Sequence, residues 1–346
     1  MNQNSLSRRE LSGLELMLLS PSPRLYVNGR QQVLLRVRAT MKEGSTEVPL
    51  TETEIASLRI VLDTYSYVKG EHDDDNNAVV PREAFKTLGV YGEWESSKTD
   101  KEYAEFPAGH SGEHDNAFAS FLRRQDMKAG DYFFFLSCRK AGRVRSVPFT
   151  ALLKTDDGDR YCTNKKRWDA AGTEFSWSGG GGPVMVDPVD PPKLTAEHIT
   201  APPDAEPPEH GFYNIVHPFS IVYEYGGRPV GQKSMTAEHA GIIQWPTPDY
   251  GQTQASFTGY APPGATAYTF NPANPTGPQQ LPVPLPRPDQ GAIVLCGRND
   301  VDYQDGTING NWKITIMDIY GNEHKVSVAF SSPTGNGRHS LTLTVL

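Results

Sequence analysis

The strongest constraint on this chain is its punctuation. Short runs of alternating apolar residues are each closed, after a few positions, by glycine, proline, asparagine or aspartate. Leu14, Leu16 and Leu18 alternate and stop before Pro21 and Pro23. Val27-Asn28-Gly29 is a turn signal, and behind it Val33, Leu35 and Val37 interleave with Leu34, Arg36 and Arg38. A period of two marks a strand buried on one face. Leu58, Ile60 and Leu62 repeat the pattern, and Val147 to Leu153 returns through Asp156-Asp157-Gly158 into Arg160 to Thr163, a hairpin. Tyr132 to Leu136 is continuous and aromatic, as expected of a central strand buried on both faces. Glycine contributes 32 and proline 28 of the 346 residues, above their joint average share of about 12%. A chain broken this often makes many short strands and no long helices, so the expected fold class is mostly β.

A length of 346 residues exceeds one ordinary core. The pattern divides at Ser178 to Gly182, followed by Pro183, Pro188, Pro191, Pro192, Pro202, Pro203, Pro207 and Pro208. Glycine followed by proline reads as a spacer that starts flexible and continues extended. The expected organisation is an N-terminal β-sandwich over 1–177, a Gly/Pro-rich linker over 178–210, and a C-terminal β-sandwich over 211–346. Val184, Val186, Leu194 and Ile199 give the linker some apolar character for packing on a domain surface. Within the first domain, residues 69–127 lose the strand pattern and form an irregular insertion. Asp115 is placed to cap one short amphipathic helix over 116–127, carrying Phe118, Phe121 and Leu122. In the second domain Phe219, Ile221 and Tyr223 alternate, as do Trp312, Ile314 and Ile316, and Tyr320-Gly321-Asn322 turns the chain into Val326, Val328 and Phe330.

Two segments resemble bacterial immunoglobulin-like domains, in which a strand enters a Gly or Gly-Asn turn and returns with alternating apolar residues. One is Asn28-Gly29-Arg30-Gln31-Gln32-Val33 through Gly44 and Val48-Pro49. The other is Ile314-Thr315-Ile316-Met317-Asp318-Ile319-Tyr320-Gly321-Asn322 through Val326 and Phe330. The resemblance implies a sandwich fold and no particular activity. The insertion departs from the plain pattern.

Charge and cysteine usage exclude several classes. A formal charge of −8 opposes a nucleic-acid backbone, and the densest basic run, Lys165-Lys166-Arg167, reads as a solvated turn. Cys138, Cys162 and Cys296 are too few for a disulfide framework. Reduced, partly buried thiols are expected, with a Cys138–Cys162 bond as the alternative. No apolar stretch reaches the roughly 20 residues of a membrane-spanning helix, and Leu14 to Leu19 is too short and broken for a signal peptide. Synthesis in the cytosol is expected, with any export by a signal-less route.

Catalytic motifs come close and fail. Gly226-Gly227-Arg228-Pro229-Val230-Gly231-Gln232-Lys233-Ser234 approaches a phosphate loop, but Gln232 separates the glycine from the lysine and Pro229 removes a donor. Gly109-His110-Ser111-Gly112 is one residue short of a nucleophile elbow. His110 and His114 with Asp115, His72 and Asp73–Asp75 carry ligand chemistry, yet Gly112 argues against the helix that would place both imidazoles on one face. No enzyme is therefore expected and no organic cofactor.

Binding is the expected mode of action. Long irregular excursions from a rigid scaffold are where recognition residues concentrate, and the insertion offers Tyr91, Trp94, Tyr103, His110 and His114. Aromatic faces supply contact area and imidazoles supply direction for a protein or glycan partner. The competing reading gives Tyr91 and Trp94 to the core or to a sheet edge that they cover. Asp300, Asp302 and Asp305 gather carboxylates before Gly306, a composition that suits calcium as well as an ordinary turn; Asn311 stands where an EF-hand needs glutamate. The functional classes are a binding or structural protein of a bacterial or viral assembly or of host or glycan recognition, a secreted β-rich toxin component, and a hydrolase as the weakest.

Overall fold

The computed structural model describes residues 9–63, 88–104, 129–195, 199–200, 213–225, 228–238, 243–246, 254–268, 283–302, 312–330 and 341–346. These form two compact units, 1–191 and 192–346. The described residues are overwhelmingly β. The helix expected over 116–127 lies outside them.

The first unit runs β1 (Arg9–Leu18), β2 (Arg24–Tyr26), β3 (Val33–Glu43), β4 (Thr46–Val48), α1 (Glu52–Ser57), β5 (Arg59–Leu62), α2 (Leu88–Tyr91), β6 (Gly92–Ser97), β7 (Asp131–Ala141), β8 (Val147–Lys154), β9 (Arg160–Cys162), β10 (Lys166–Trp168), β11 (Glu174–Ser176) and β12 (Val184–Val189). One sheet has the order β1-β3-β7-β6, with β4 paired to β3; the other has the order β11-β10-β9-β8-β12-β2, with β5 on the free edge of β8.

Alternation decides which face of each strand is buried. The pairing of β3 with β7 sets Val33 opposite Leu136 and Leu35 opposite Phe134, so Val33, Leu35, Val37, Phe134, Leu136 and Cys138 share one side. The pairing of β5 with β8 likewise sets Ile60 opposite Ala151 and Leu62 opposite Phe149. These two inner faces meet in a single core, joined by Leu11, Leu14 and Leu16 from β1. That is the packing of a β-sandwich. Of the aromatic run of β7, Phe134 is buried in the sandwich core and Phe135 on the outer face with Leu34, while Tyr132 and Phe133 are only half-buried.

The helix α1 escaped the sequence reading although its signal was present. Thr51 caps it, accepting from the Glu54 N–H at 3.2 Å, while the Glu54 carboxylate accepts from the Thr51 N–H at 2.9 Å. Glu54 is fully buried and is neutralised by Arg9 at 2.7 Å.

The stretch from Ser178 differs from a spacer. The Leu14 N–H donates to the Gly179 carbonyl and the Gly181 N–H to the Leu14 carbonyl, both at 3.0 Å, and the Gly182 N–H donates to the Thr163 carbonyl at 2.7 Å. This run is therefore wedged between β1 and the chain leaving β9. A Cβ on Gly180 would stand 2.7 Å from the Thr163 oxygen and 2.9 Å from the Lys165 nitrogen. Glycine is needed here for close approach of backbones rather than for flexibility. β12 follows and pairs antiparallel with β8 through Val184 opposite Phe149, then parallel with β2 through Pro188 opposite Leu25. Val186 is completely buried. Pro188 is tolerated because it falls next to the end of β12, and Pro191 lies beyond it.

The second unit contains β13 (Ile199–Thr200), β14 (Tyr213–Ser220), β15 (Val222–Tyr225), β16 (Arg228–Pro229), β17 (Gln232–Ala237), β18 (Ile243–Pro246), β19 (Gln254–Ala261), β20 (Ala267–Tyr268), β21 (Val283–Pro284), β22 (Ala292–Asp302), β23 (Trp312–Asp318), β24 (Glu323–Phe330) and β25 (Leu341–Val345). Two four-stranded antiparallel sheets, β14-β22-β19-β18 and β17-β23-β24-β25, share a core of Ile221, Met235, Ile293, Trp312, Ile314, Ile316, Val326 and Val328. Asp318 organises the turn between β23 and β24. Its buried carboxylate accepts from the N–H groups of Tyr320 and Asn322, both at 2.9 Å, and from the Asn322 side chain at 3.0 Å. Nε2 of His324 lies 3.1 Å away, and its ring packs on Tyr223 at 4.8 Å.

Replacing Gly180 with alanine is expected to lower the stability of the first unit by about 1–3 kcal/mol, the usual cost of forcing atoms into a packed site. An unchanged denaturation midpoint would contradict the wedged arrangement of the glycine run.

Candidate functional site

The site begins with two glutamines at the start of β3. Gln31 is completely buried; its Oε1 accepts from the Tyr26 N–H at 2.5 Å and its Nε2 donates to the Ala104 carbonyl at 3.0 Å. Gln32 reaches the same segment: Oε1 accepts from the Lys101 N–H at 2.7 Å and Nε2 donates to the Thr99 carbonyl at 3.3 Å. Two side-chain amides thus supply the partners that residues 98–104, which belong to no sheet, would otherwise lack. Lys101 adds a bond from its ammonium to the Gly29 carbonyl at 2.9 Å. The Glu95 carboxylate bridges Lys101 at 3.4 Å and Arg139 at 2.9 Å. Partial burial pulls Glu95 upward, yet the two cations together outweigh it and hold the carboxyl below its ordinary range.

β6 pairs with β7 only as far as Ser97 opposite Phe135. Beyond that point the chain turns away through Lys98 to Asp100, and a cleft of about 560 Å³ opens. Ile55 and Leu58 of the α1 region form one wall, Lys98, Thr99 and Asp100 another, and the start of β7 from Asp131 to Phe135 the floor. Most of its polar groups are engaged in holding the fold. Asp131 is buried in ion pairs with Arg38 at 2.7 Å and Arg36 at 3.7 Å. Asp100 accepts from the Glu102 N–H at 2.7 Å. Lys98 differs: it is exposed, and its ammonium stands 5.8 Å from the centre of the Phe134 ring.

The residues expected to bind fall elsewhere. Trp94 is 8% exposed, sits in the sandwich core edge-on to Phe149 at 4.8 Å, and donates from Nε1 to the Tyr91 carbonyl at 2.7 Å. Tyr91 packs on the same core. Tyr103 is half-buried in the segment held by the glutamines. None of these three lines the cleft. His110 and His114 lie outside the described residues. Asp300 and Asp302 belong to the end of β22, and Asp305 lies outside the described residues.

A smaller cleft of about 330 Å³ is lined by Arg9, Glu54, Thr155, Asp156, Asp157 and Tyr161 among others. Arg9 and Glu54 neutralise each other there, and Asp156 accepts from the Thr51 hydroxyl at 3.1 Å. In the second unit, Gln232, which interrupts the near-match to a phosphate loop, is a buried structural residue. It bonds the Ile221 carbonyl at 2.6 Å, Gln290 at 2.9 Å and the Gly291 N–H at 2.9 Å.

Cys138 and Cys162 are both free and buried. They lie in separate apolar clusters, Cys138 in the sandwich core and Cys162 with Val61, Leu152 and Trp168. Burial pushes the Cys138 thiol up to about 12 and the Cys162 thiol up to about 11. Both are protonated near neutral pH and poor nucleophiles.

No family model matches the sequence, and no curated protein matches it. Solved structures give faint similarities. The Yersinia pseudotuberculosis adhesin InvE is 9% identical with a TM-score of 0.22, over 91% of this chain and 59% of that one. The structure named BspA_C_mut is 8% identical with a TM-score of 0.24, over 96% and 98%. The C-terminal domain of the Streptococcus pyogenes antigen I/II-family protein AspA is 10% identical with a TM-score of 0.24, over 97% and 100%. Overlaps this weak carry no assignment, and fold and function rest on the residues above.

Changing Trp94 to alanine is expected to cost about 3–5 kcal/mol, as for other large aromatic side chains deleted from a core. A denaturation midpoint close to the unchanged protein would return Trp94 to the list of recognition residues.

Proposed function

We propose that this chain is a non-catalytic binding protein that engages a protein partner through the cleft beside the start of β7. The observation that carries the reading is how its polar groups are used. Asp131, Gln31, Gln32, Glu95 and Asp318 are each engaged in holding backbone or a counter-charge. The buried thiols are protonated. Lys98 meets only the Phe134 ring among the described residues, over an apolar floor. Concave apolar sites with few, well-placed polar groups are the usual form of a binding site. A protein side chain fits these walls better than a sugar, whose hydroxyls need several free donors and acceptors.

The site sits where the insertion over 69–127 joins the sandwich, so the reading keeps recognition with the insertion while moving it from Trp94 to the cleft. Thr99 is exposed at the rim, and only its backbone takes part in the bonds to Gln32 and Ser97. Thr99→Trp is therefore expected to fill the cleft and abolish partner capture while leaving the melting temperature within about 2 °C, a shift typical of surface changes under 0.5 kcal/mol. Capture of the same partner by the unchanged and the substituted protein would contradict the proposal.

A further inference from the structure

Independently of the cleft, we infer that β25 is an interaction edge whose occupant is the same strand of a second copy of this chain, the two running antiparallel about Leu343. β25 is the last strand of the sheet β17-β23-β24-β25. The Leu346 N–H donates to the Lys325 carbonyl at 2.9 Å, and the register continues with Thr344 opposite Ser327 and Thr342 opposite Ala329. Hydrogen-bonded and non-bonded positions alternate along an antiparallel pair. Thr342 and Thr344 therefore turn their backbone groups to β24, while Leu341, Leu343 and Val345 turn theirs to the open edge.

Sheet edges are ordinarily blunted against strand addition by bulges, prolines, charges or short length. Among the described residues, the edge strands β1, β6, β14 and β17 have bulged registers, and β18 ends in Pro246. β2, β4, β5 and β11 have three or four residues and each carries a charge; the remaining edges have two residues. β25 has none of these devices: Leu341-Thr342-Leu343-Thr344-Val345 keeps a regular register and holds neither charge nor proline.

The same sequence selects the occupant. A two-fold axis through Leu343 sets Leu341 against Val345, Leu343 against its own copy and Thr342 against Thr344. Every outward N–H and C=O of both strands then meets a partner. Half-buried apolar side chains meet their like along the core face, and the exposed threonines pair on the outer face. Two four-stranded sheets become one of eight strands, and the bulge of β17 at the other edge opposes further growth.

Sedimentation equilibrium of the full chain is expected to show reversible association to twice the 38.1 kDa of one copy, with a dissociation constant on the order of 10 µM, as suits a small interface. Thr342→Lys combined with Thr344→Lys puts like charges opposite each other across the axis and is expected to weaken the dimer about tenfold. Thr342→Lys combined with Thr344→Glu puts opposite charges there and is expected to keep it. Circular dichroism of dilute samples checks that both variants melt like the unchanged chain. In that unchanged chain, exchange of the Leu343 amide is expected to slow as the dimer forms. A chain monomeric up to about 1 mM overturns the second copy as occupant and leaves the edge to a strand of another protein. Equal exchange at Leu343 in monomer and dimer, or a dimer equally tight in all three proteins, overturns β25 as its seat. Loss of the dimer in both folded variants overturns the antiparallel register.

Discussion

The antiparallel pairing of β3 with β7 is the constraint from which the first unit follows. Because side chains alternate, one register, Val33 opposite Leu136, assigns every neighbour to a face. The inner face joins the sandwich core, and the outer face gathers Leu34, Phe133 and Phe135 with the Arg36–Asp131–Arg38 pairs. A slip of one residue would bring Arg36 and Arg38 into the core. Desolvating two guanidinium groups away from Asp131 is far costlier than any gain from the exchanged side chains. The cleft is a direct result of this pairing, since β7 is held by β3 along Asp131–Leu136 while β6 accompanies it only down to Phe135.

Two kinds of residue then close the sandwich where sheets do not reach. Glycines 179–182 allow backbone to pass against β1 and the end of β9, and Gln31 and Gln32 provide hydrogen bonds to a segment with no strand partner. In both cases small or amide side chains stand in for a missing ladder. The same principle acts in the second unit, where Asp318 and Gln232 serve backbone amides and a neighbouring carbonyl. Polar residues committed in this way hold backbone, and the proposed binding role rests on that use of them.

Much of the fold was legible because periodicity and turn chemistry act locally. Leu14–Leu18, Val33–Val37 and the hairpin through Asp156-Asp157-Gly158 appear where alternation and turn residues place them. The glycine run misled because glycine has two uses, conformational freedom and close approach, and only the neighbouring backbone of Thr163 and Lys165 tells them apart. The Thr51–Glu54 box was readable but short, a six-residue helix within a β pattern. Trp94 falls within the irregular insertion over 69–127, where recognition and core packing are both open on sequence; its burial against Phe149 depends on a strand pairing over 40 residues distant, which no local pattern encodes. Lys98 gave no signal at all, since an isolated surface lysine is ordinary until its surroundings are known.

The proposed binding role depends most on the cleft being built into the sandwich, its wall at Lys98–Asp100 belonging to the segment 98–104 that the two glutamines hold. Amide hydrogen exchange of the full chain, read on the peptide containing Lys101 and Ala104, tests this most directly. Exchange of the Lys101 amide slowed well below the free-chain rate, and released by Gln32→Ala while β3 and β7 remain protected, is the predicted result. Free-chain exchange at Lys101 in the unchanged protein would contradict it.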